Sequence, residues 1–226
     1  GDIPTPNIDK LRAQGIRFTD FYVAGPVCTP SRYGLLTGSY PARSKQYLYT
    51  ALMPFDKNQL DRTETILPSY LKSHNYTTAI IGKWHLGSGP EALPGEYGFD
   101  LFTGFTGGCI DFFTHVYGSV KEDWYVNGVP AKEAGYSTDL ITDHAIRFID
   151  QASKTQKPFF LYLPYNAPHY GKTDPAHVPE KTIFLKEDEY EGYKIANTLQ
   201  APEEYYQRFH HIKDPYRQAY SAMVSS

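Results

Sequence analysis

The chain has 226 residues, 41% hydrophobic and 21% charged, enough for a sizeable core in one large domain or two small ones. Its formal charge of −3, from 22 basic against 25 acidic residues, comes with no basic block, which argues against nucleic acid as a partner; no apolar run is long enough to span a membrane. Aromatics reach 15%, a content that serves amphipathic packing first and also suits clefts for polar ligands such as sugars.

The sequence "TPNIDKLRAQG" predicts a helix, with Thr5 before it, Pro6 at its first position, Gly15 as its stop, and Ile8, Leu11 and Ala13 inward. The alternation in "IRFTDFYV" predicts a strand over 16–23. A helix can begin at or just after Cys28 and end at Gly38. "TETILPSYLKSHN" predicts a short helix with Ile66, Leu67, Tyr70 and Leu71 inward, and the β-branched run 76–81 a strand that breaks at Gly82. Residues 86–137 read as an irregular excursion with a hairpin at "WYVNGVP", where Asn127-Gly128 is a strong tight-turn signal. "STDLITDHAIRFIDQA" predicts an amphipathic helix capped by Ser137 or Thr138, with Leu140, Ile141, Ala145, Ile146, Phe148 and Ile149 on its apolar face. The apolar run 159–163 predicts a strand buried on both faces, and the segment from 201 a helix bent at Pro215. Strands alternating with helices predict an α/β fold: a mostly parallel central sheet with helices on both faces.

Function in such folds gathers at the carboxyl ends of strands. The segments after the three best-predicted strands are the Cys28 loop, "GKWHLG" and "NAPH", and they are also the richest in reactive side chains. Cys28 is one of only two cysteines, so it is either a buried structural thiol or a reactive residue. Pro26 and Pro30 favour a defined loop. Unpaired amides at a helix start attract anions, and Arg32 lies one turn further on the same face, as suits a nucleophile beside a fixed positive charge. Lys83 and His85 share a face in an extended segment, a lysine for an anionic oxygen and a histidine for a proton. Alone, Lys-x-His is a weak motif. His169 follows a buried strand and a proline turn.

Taken in order, "CTPSR" with "LLTG", then "GKWHLG", then "NAPH" resembles the sulfatase family, and nearly the whole chain fits that family's catalytic domain. The resemblance implies an alkaline-phosphatase-like fold and sulfate-ester hydrolysis, with the substrate a sulfated small molecule or glycan. C-x-P-x-R is the signature read by the formylglycine-generating enzyme, which would convert Cys28 to Cα-formylglycine. The hydrated aldehyde is a diol: one hydroxyl, on calcium or magnesium, attacks sulfur, and the second expels sulfate from the resulting covalent sulfo-enzyme. In that scheme Arg32 steadies the formylglycine oxygens and Lys83 holds a sulfate oxygen. His85 takes the proton on sulfate release, and His169 protonates or hydrogen-bonds the leaving alcohol. Asp111 and His115 would line the substrate pocket, a solvated loop being the alternative. Asp143 and His144 fall inside the predicted amphipathic helix, Cys109 reads as a small packed residue, and His210-His211 as a solvated face.

The resemblance also implies an Asp-Asp metal-ligand pair before this chain and a second ligand pair and a lysine after it. Of the expected metal ligands only Cys28, as formylglycine, is present. The sequence therefore reads as residues 1–226 of a partial catalytic domain, truncated at both ends. A periplasmic, secreted or lysosomal location follows from the resemblance alone. Two rival readings are a phosphonate or phosphodiester hydrolase of the same superfamily and a non-catalytic sulfatase-like binding protein. Residues 1–226 purified alone are expected to show no metal-dependent sulfatase turnover, which a direct assay of that segment checks.

Overall fold

The computed structural model describes residues 2–179 and 182–226. Helix α1, Pro6–Gln14, lies where expected between Thr5 and Gly15, but it buries nothing: Ile8 and Leu11 are 67% and 71% exposed. The strand expected over 16–23 is absent. A strand persists by pairing its backbone groups, and among the described residues no strand pairs with this segment; Ile16, Phe18, Phe21, Tyr22 and Val23 all stand in solvent.

Helix α2, Cys28–Thr37, begins on the cysteine. It stops at Gly38, whose φ of 68° lets its N–H reach the Gly34 carbonyl. Helix α3, Leu67–Ser73, is too short to carry a broad apolar face. Ile66 and Pro68 are buried, whereas Leu67 and Tyr70, expected inward, are exposed. Strand β1, Thr77–Lys83, runs past the predicted break at Gly82. β2, Leu101–Phe105, lies inside the stretch read as irregular; the glycine in "LFTGF" hides the pattern of a doubly covered strand. Two short pairs follow. β3, Val116–Tyr117, joins β4, Lys121–Glu122; β5, Tyr125–Val126, and β6, Val129–Pro130, form the expected hairpin, with Asn127 and Gly128 at φ 52° and 77°.

Helix α4, Ser137–Ser153, precedes β7, Phe159–Tyr162. Three strands form a separate antiparallel sheet: β8, Gly171–Thr173, β9, Ile183–Tyr190, and β10, Tyr193–Leu199, in the order β8-β10-β9. The last segment is two helices rather than one bent helix, α5, Glu203–Gln207, and α6, Pro215–Ser225. Asp214 accepts the Arg217 N–H at 2.7 Å and Pro215 takes the first helical position, so the Asp-Pro pair starts a new helix.

The main sheet has the order β6-β5-β2-β1-β7. β2, β1 and β7 are parallel, and the β5–β6 hairpin adds antiparallel to β2. Alternation along β1 divides the core. Ala79 and Ile81 join Phe105 against Ile141, Ala145 and Phe148 of α4, while Ile80 and Phe102 pack with Tyr33 and Leu36 of α2. Each large apolar side chain so buried contributes about 1.5–3 kcal/mol relative to exposure. Ile146 and Ile149 of α4 turn outward, 59% and 42% exposed, because the face that meets the sheet is narrower than the apolar stripe in the sequence. β7 forms an edge of this sheet with Phe159 38% exposed, so it is not the doubly buried strand its composition suggests.

At the carboxyl end the strands close in on glycine. Gly82 and Gly104 are register partners with φ of 129° and 136°. A Cβ on Gly104 would sit 2.1 Å from the Gly82 oxygen, and one on Gly82 would sit 2.4 Å from the Pro164 oxygen. Bare backbone at both positions lets β1, β2 and the chain after β7 pack main chain to main chain. Gly104→Ala in the full-length protein combines forbidden backbone geometry with a main-chain clash and is expected to destabilise it by about 3 kcal/mol or more. Denaturant unfolding checks this; a loss below about 1 kcal/mol would mean that the strand ends can spread.

Candidate active site

β1 ends on Lys83, whose N–H reaches the Pro164 carbonyl at 2.9 Å. Trp84 and His85 continue the ladder beyond the strand, donating to the Phe105 and Thr106 carbonyls at 2.9 and 3.1 Å. Trp84 is fully buried and anchored by its indole N–H on the Ala92 carbonyl at 2.9 Å, which holds its neighbours Lys83 and His85 in place. Against this strand end sits the first turn of α2. Arg32 Nη1 donates to the Lys83 carbonyl at 2.7 Å and to the Tyr162 hydroxyl at 3.1 Å; its Nε is buried without a partner. The Thr29 hydroxyl donates to the His85 carbonyl at 3.1 Å and accepts the Leu52 N–H at 3.2 Å.

Burial sets the electrostatics of the cluster. Lys83 is 3% exposed, and its pKa is lowered first by desolvation, against which the Cys109 and Cys28 side chains act. The His85 pKa is pushed down to about 3, by burial and then by the Lys83 charge, so its ring is neutral. His85 Nε2–H donates to the Leu52 carbonyl at 2.8 Å, leaving Nδ1 with a free lone pair and no partner. His169, on the turn after β7, also has a pKa lowered mainly by burial. Its Nδ1–H donates to the Tyr170 carbonyl at 3.0 Å, with Cys109 Sγ 3.6 Å from the same nitrogen; Nε2 is left as its second proton-carrying site. Lys83, Arg32 and His169 all act on the His85 charge, and Cys28 on that of Lys83, so Cys28, Arg32, Lys83, His85 and His169 form one cluster at the carboxyl edge of the parallel strands.

Asp111 and His115 are not brought into that cluster. Asp111 is 1% exposed and both its oxygens are taken: Oδ1 by the Phe113 and Thr114 N–H groups, Oδ2 by Thr173 Oγ1 and Gln200 Nε2. It closes a turn and ties that turn to the small sheet. His115 is 3% exposed and stacks on Trp124 with centroids 4.5 Å apart. His144 pairs with Glu133 at 2.9 Å on the side of α4, as its helical position implied.

Four residues join the site that sequence patterns did not single out. Gly108 lies against the His85 ring: a Cβ there would be 2.7 Å from Cε1. Cys109, next along, has its thiol pKa pushed up to about 11 by burial and faces Lys83 and His169. Asp123 holds this loop by accepting from the Thr106 N–H and hydroxyl and the Gly107 N–H. Thr29 was legible only as the variable position of "CTPSR". The glycine pair before Cys109 was the one local hint of close backbone approach; Asp123 carries none.

Among the described residues, no group of three or more His, Cys, Asp or Glu side chains is arranged to hold a metal ion. Hard cations demand several oxygen ligands, and the buried carboxylates of Asp111 and Asp123 are already occupied by donors. The calcium or magnesium implied by resemblance therefore finds no ligand set here.

A profile of the Sulfatase family matches residues 1–225. The chain belongs to the sulfatase family. The chain is 37% identical over 195 residues to the uncharacterized sulfatase YdeN of Escherichia coli (strain K12), covering 76% of this chain and 33% of the relative. The crystal structure of Ps i-CgsB in complex with k-i-k-neocarrahexaose superposes with a TM-score of 0.78 at 33% identity, covering 99% of this chain and 47% of that one. A protein solved in complex with its substrate D-glucosamine-2-N,6-O-disulfate matches with a TM-score of 0.58 at 32% identity, over 75% of this chain and 31% of that one. The fold is thus that of sulfatases, alkaline-phosphatase-like. This chain spans between about a third and a half of its relatives' length.

Thr29 holds both the carbonyl of His85 and the amide of the residue whose carbonyl holds the His85 ring. In the full-length protein, Thr29→Val leaves the His85 carbonyl and the Leu52 N–H without their partner and is expected to destabilise it by about 1–3 kcal/mol, with Thr29→Ser restoring stability. Denaturant unfolding of the three proteins checks this. A loss in Thr29→Ser with none in Thr29→Val would show that the methyl group, not the hydroxyl, is what matters.

Proposed function

We propose that the protein containing this chain hydrolyses sulfate esters, of a sulfated carbohydrate, through a formylglycine made from Cys28. The observation that carries the reading is the convergence of buried Lys83 and half-buried Arg32 on a cysteine at the first position of a helix. Lys83 lies in low dielectric, where its charge is opposed first by desolvation and then by Arg32, and this favours a bound anion. The cysteine sulfur stands where the oxygens of the converted residue would lie. Family membership and relatives solved with saccharides support the same reading.

Formylglycine, when present, supplies a hydrated aldehyde whose hydroxyl is the nucleophile. Around it, the side chains of this chain have separable tasks. Lys83 holds a sulfate oxygen and offsets charge as the ester bond breaks. The unpartnered Nε–H of Arg32 is the donor left for an oxygen on residue 28, while its Nη1 keeps the strand end in register. His85 receives a proton at Nδ1, the nitrogen that its bond to Leu52 leaves open. His169 carries a proton at Nε2 toward the leaving oxygen, its Nδ1 being fixed on Tyr170. The maturation enzyme is the partner that "CTPSR" implies, and an exported or lysosomal compartment belongs to the same reading.

In the full-length protein, Lys83→Ala is expected to lower turnover of an aryl sulfate about a hundredfold or more. A change below about threefold would remove Lys83 from the reaction. Two controls accompany the assay. Mass spectrometry of the Cys28 peptide after coexpression with the maturation enzyme reads the aldehyde, and unmodified thiol there favours a binding protein. Faster turnover of an aryl phosphate diester than of the aryl sulfate favours the phosphodiesterase reading.

A further inference from the structure

Lys172 is a buried cation that the scheme above does not use. It lies on β8, three residues after His169, and its side chain is 9% exposed. Its Nζ is 5.3 Å from the ring centroid of Tyr170 and 6.0 Å from that of Tyr117. Tyr170 rests in turn on His169, with ring centroids 4.3 Å apart. Lys172 and the imidazole assigned to the leaving group thus contact the same aromatic ring. Tyr117 borders the crevice that His85, Thr106 and Lys121 also line. The positive charge of Lys172 is felt at both His169 and Cys109.

A buried ammonium needs a matching negative charge. The carboxylate beside it is Asp188, whose Oδ2 lies 3.3 Å from Nζ, long for a charge-assisted bond. That carboxylate is shared: the same oxygen accepts from Asn197 Nδ2 at 2.6 Å, and Oδ1 takes exposed Lys186 at 2.8 Å. Two ammonium groups thus face one carboxylate, leaving one positive charge in excess. Lys186 is met by solvent, whereas Lys172 is buried and adjoins His169 through Tyr170.

We propose that Lys172, flanked by Tyr117 and Tyr170, forms a subsite for a second sulfate group on the saccharide whose sulfate ester is cleaved at residue 28. This rests on the sulfatase reading and extends it from an ester to a multiply sulfated substrate. Lysine supplies the charge, and the two rings restrict its position and keep water from it. Lys172 is a specificity residue here, not one that touches the reacting ester.

The test has a binding arm and a kinetic arm, both in the full-length protein. In the inert Cys28→Ala background, calorimetry compares glucosamine-2-N,6-O-disulfate with glucosamine 6-O-sulfate. The disulfate is expected to bind about tenfold tighter or more, the size of one charged hydrogen bond. Lys172→Met should erase that difference and Lys172→Arg preserve it. Equal affinities for the two sugars, or a difference that survives in Lys172→Met, would overturn the subsite. In the converted enzyme, Lys172→Met should raise KM for the disulfate and leave kcat on a small aryl sulfate within about twofold of the parent. Parallel loss on both substrates would mean that Lys172 acts through His169 or through the fold, and would overturn the subsite. Absence of aryl sulfate turnover in the parent would overturn the sulfatase reading instead, and the binding arm, which needs no turnover, would still decide the subsite.

Discussion

Two hydrogen bonds across one seam organise this molecule: Arg32 to the Lys83 carbonyl and Thr29 to the His85 carbonyl. Both acceptors lie where β1 runs out of sheet, and both donors lie on the first turn and a half of α2. A strand end carries carbonyl groups that its neighbours no longer satisfy, and a buried carbonyl left alone costs about 1–3 kcal/mol. Satisfying them from α2 solves that local problem. It also fixes Cys28 against Lys83, because Cys28, Thr29 and Arg32 ride on the same rigid turn. The same constraint reaches one step further, since Thr29 also accepts from the Leu52 amide and Leu52 holds the His85 ring.

Close approach is possible because the surrounding backbone is bare. Gly82 and Gly104 bring the strand ends together, and Gly108 lets the loop after β2 lie flat on the His85 ring. Side chains at any of the three would wedge apart the elements that carry the chemistry. The result is a region that holds buried Lys83 and Lys172 and half-buried Arg32. Lys83 and His85 are shifted toward neutrality by burial, while Asp111 and Asp123, the buried acids nearby in sequence to Cys109, are committed to backbone and hydroxyl donors. Such an environment is relieved by an anion, the physical basis of the sulfate site proposed above.

Legibility in the sequence followed the range of the forces involved. Cys28 at the start of a helix ended by Gly38, the Asn127-Gly128 hairpin and the long helix α4 were all readable, because caps, tight turns and amphipathic spacing act within a few residues. Strand assignments fared worse. "IRFTDFYV" has a strand's alternation and no ladder among the described residues, whereas "LFTGF" has a glycine in its middle and lies in the centre of the sheet. Pairing decides a strand, and pairing partners are remote in the chain. For the same reason Asp111 and His115 looked available on a glycine-rich loop but are buried by Thr173, Gln200 and Trp124, residues that only folding brings near.

By itself the sequence determined the chemical inventory: which cysteine sits in a C-x-P-x-R context, which lysine and histidine follow a buried strand, and hence the family. These are properties of residue type and short spacing, carried by the chain whether folded or not. Tertiary structure decided what each group can do. It set the His85 ring with Nδ1 open, occupied Asp111, turned Cys109 toward His169, and placed Lys172 beside Tyr170 on a carboxylate that it shares with Lys186. Those outcomes depend on desolvation and on hydrogen bonds between residues far apart in the chain, which spacing alone does not encode.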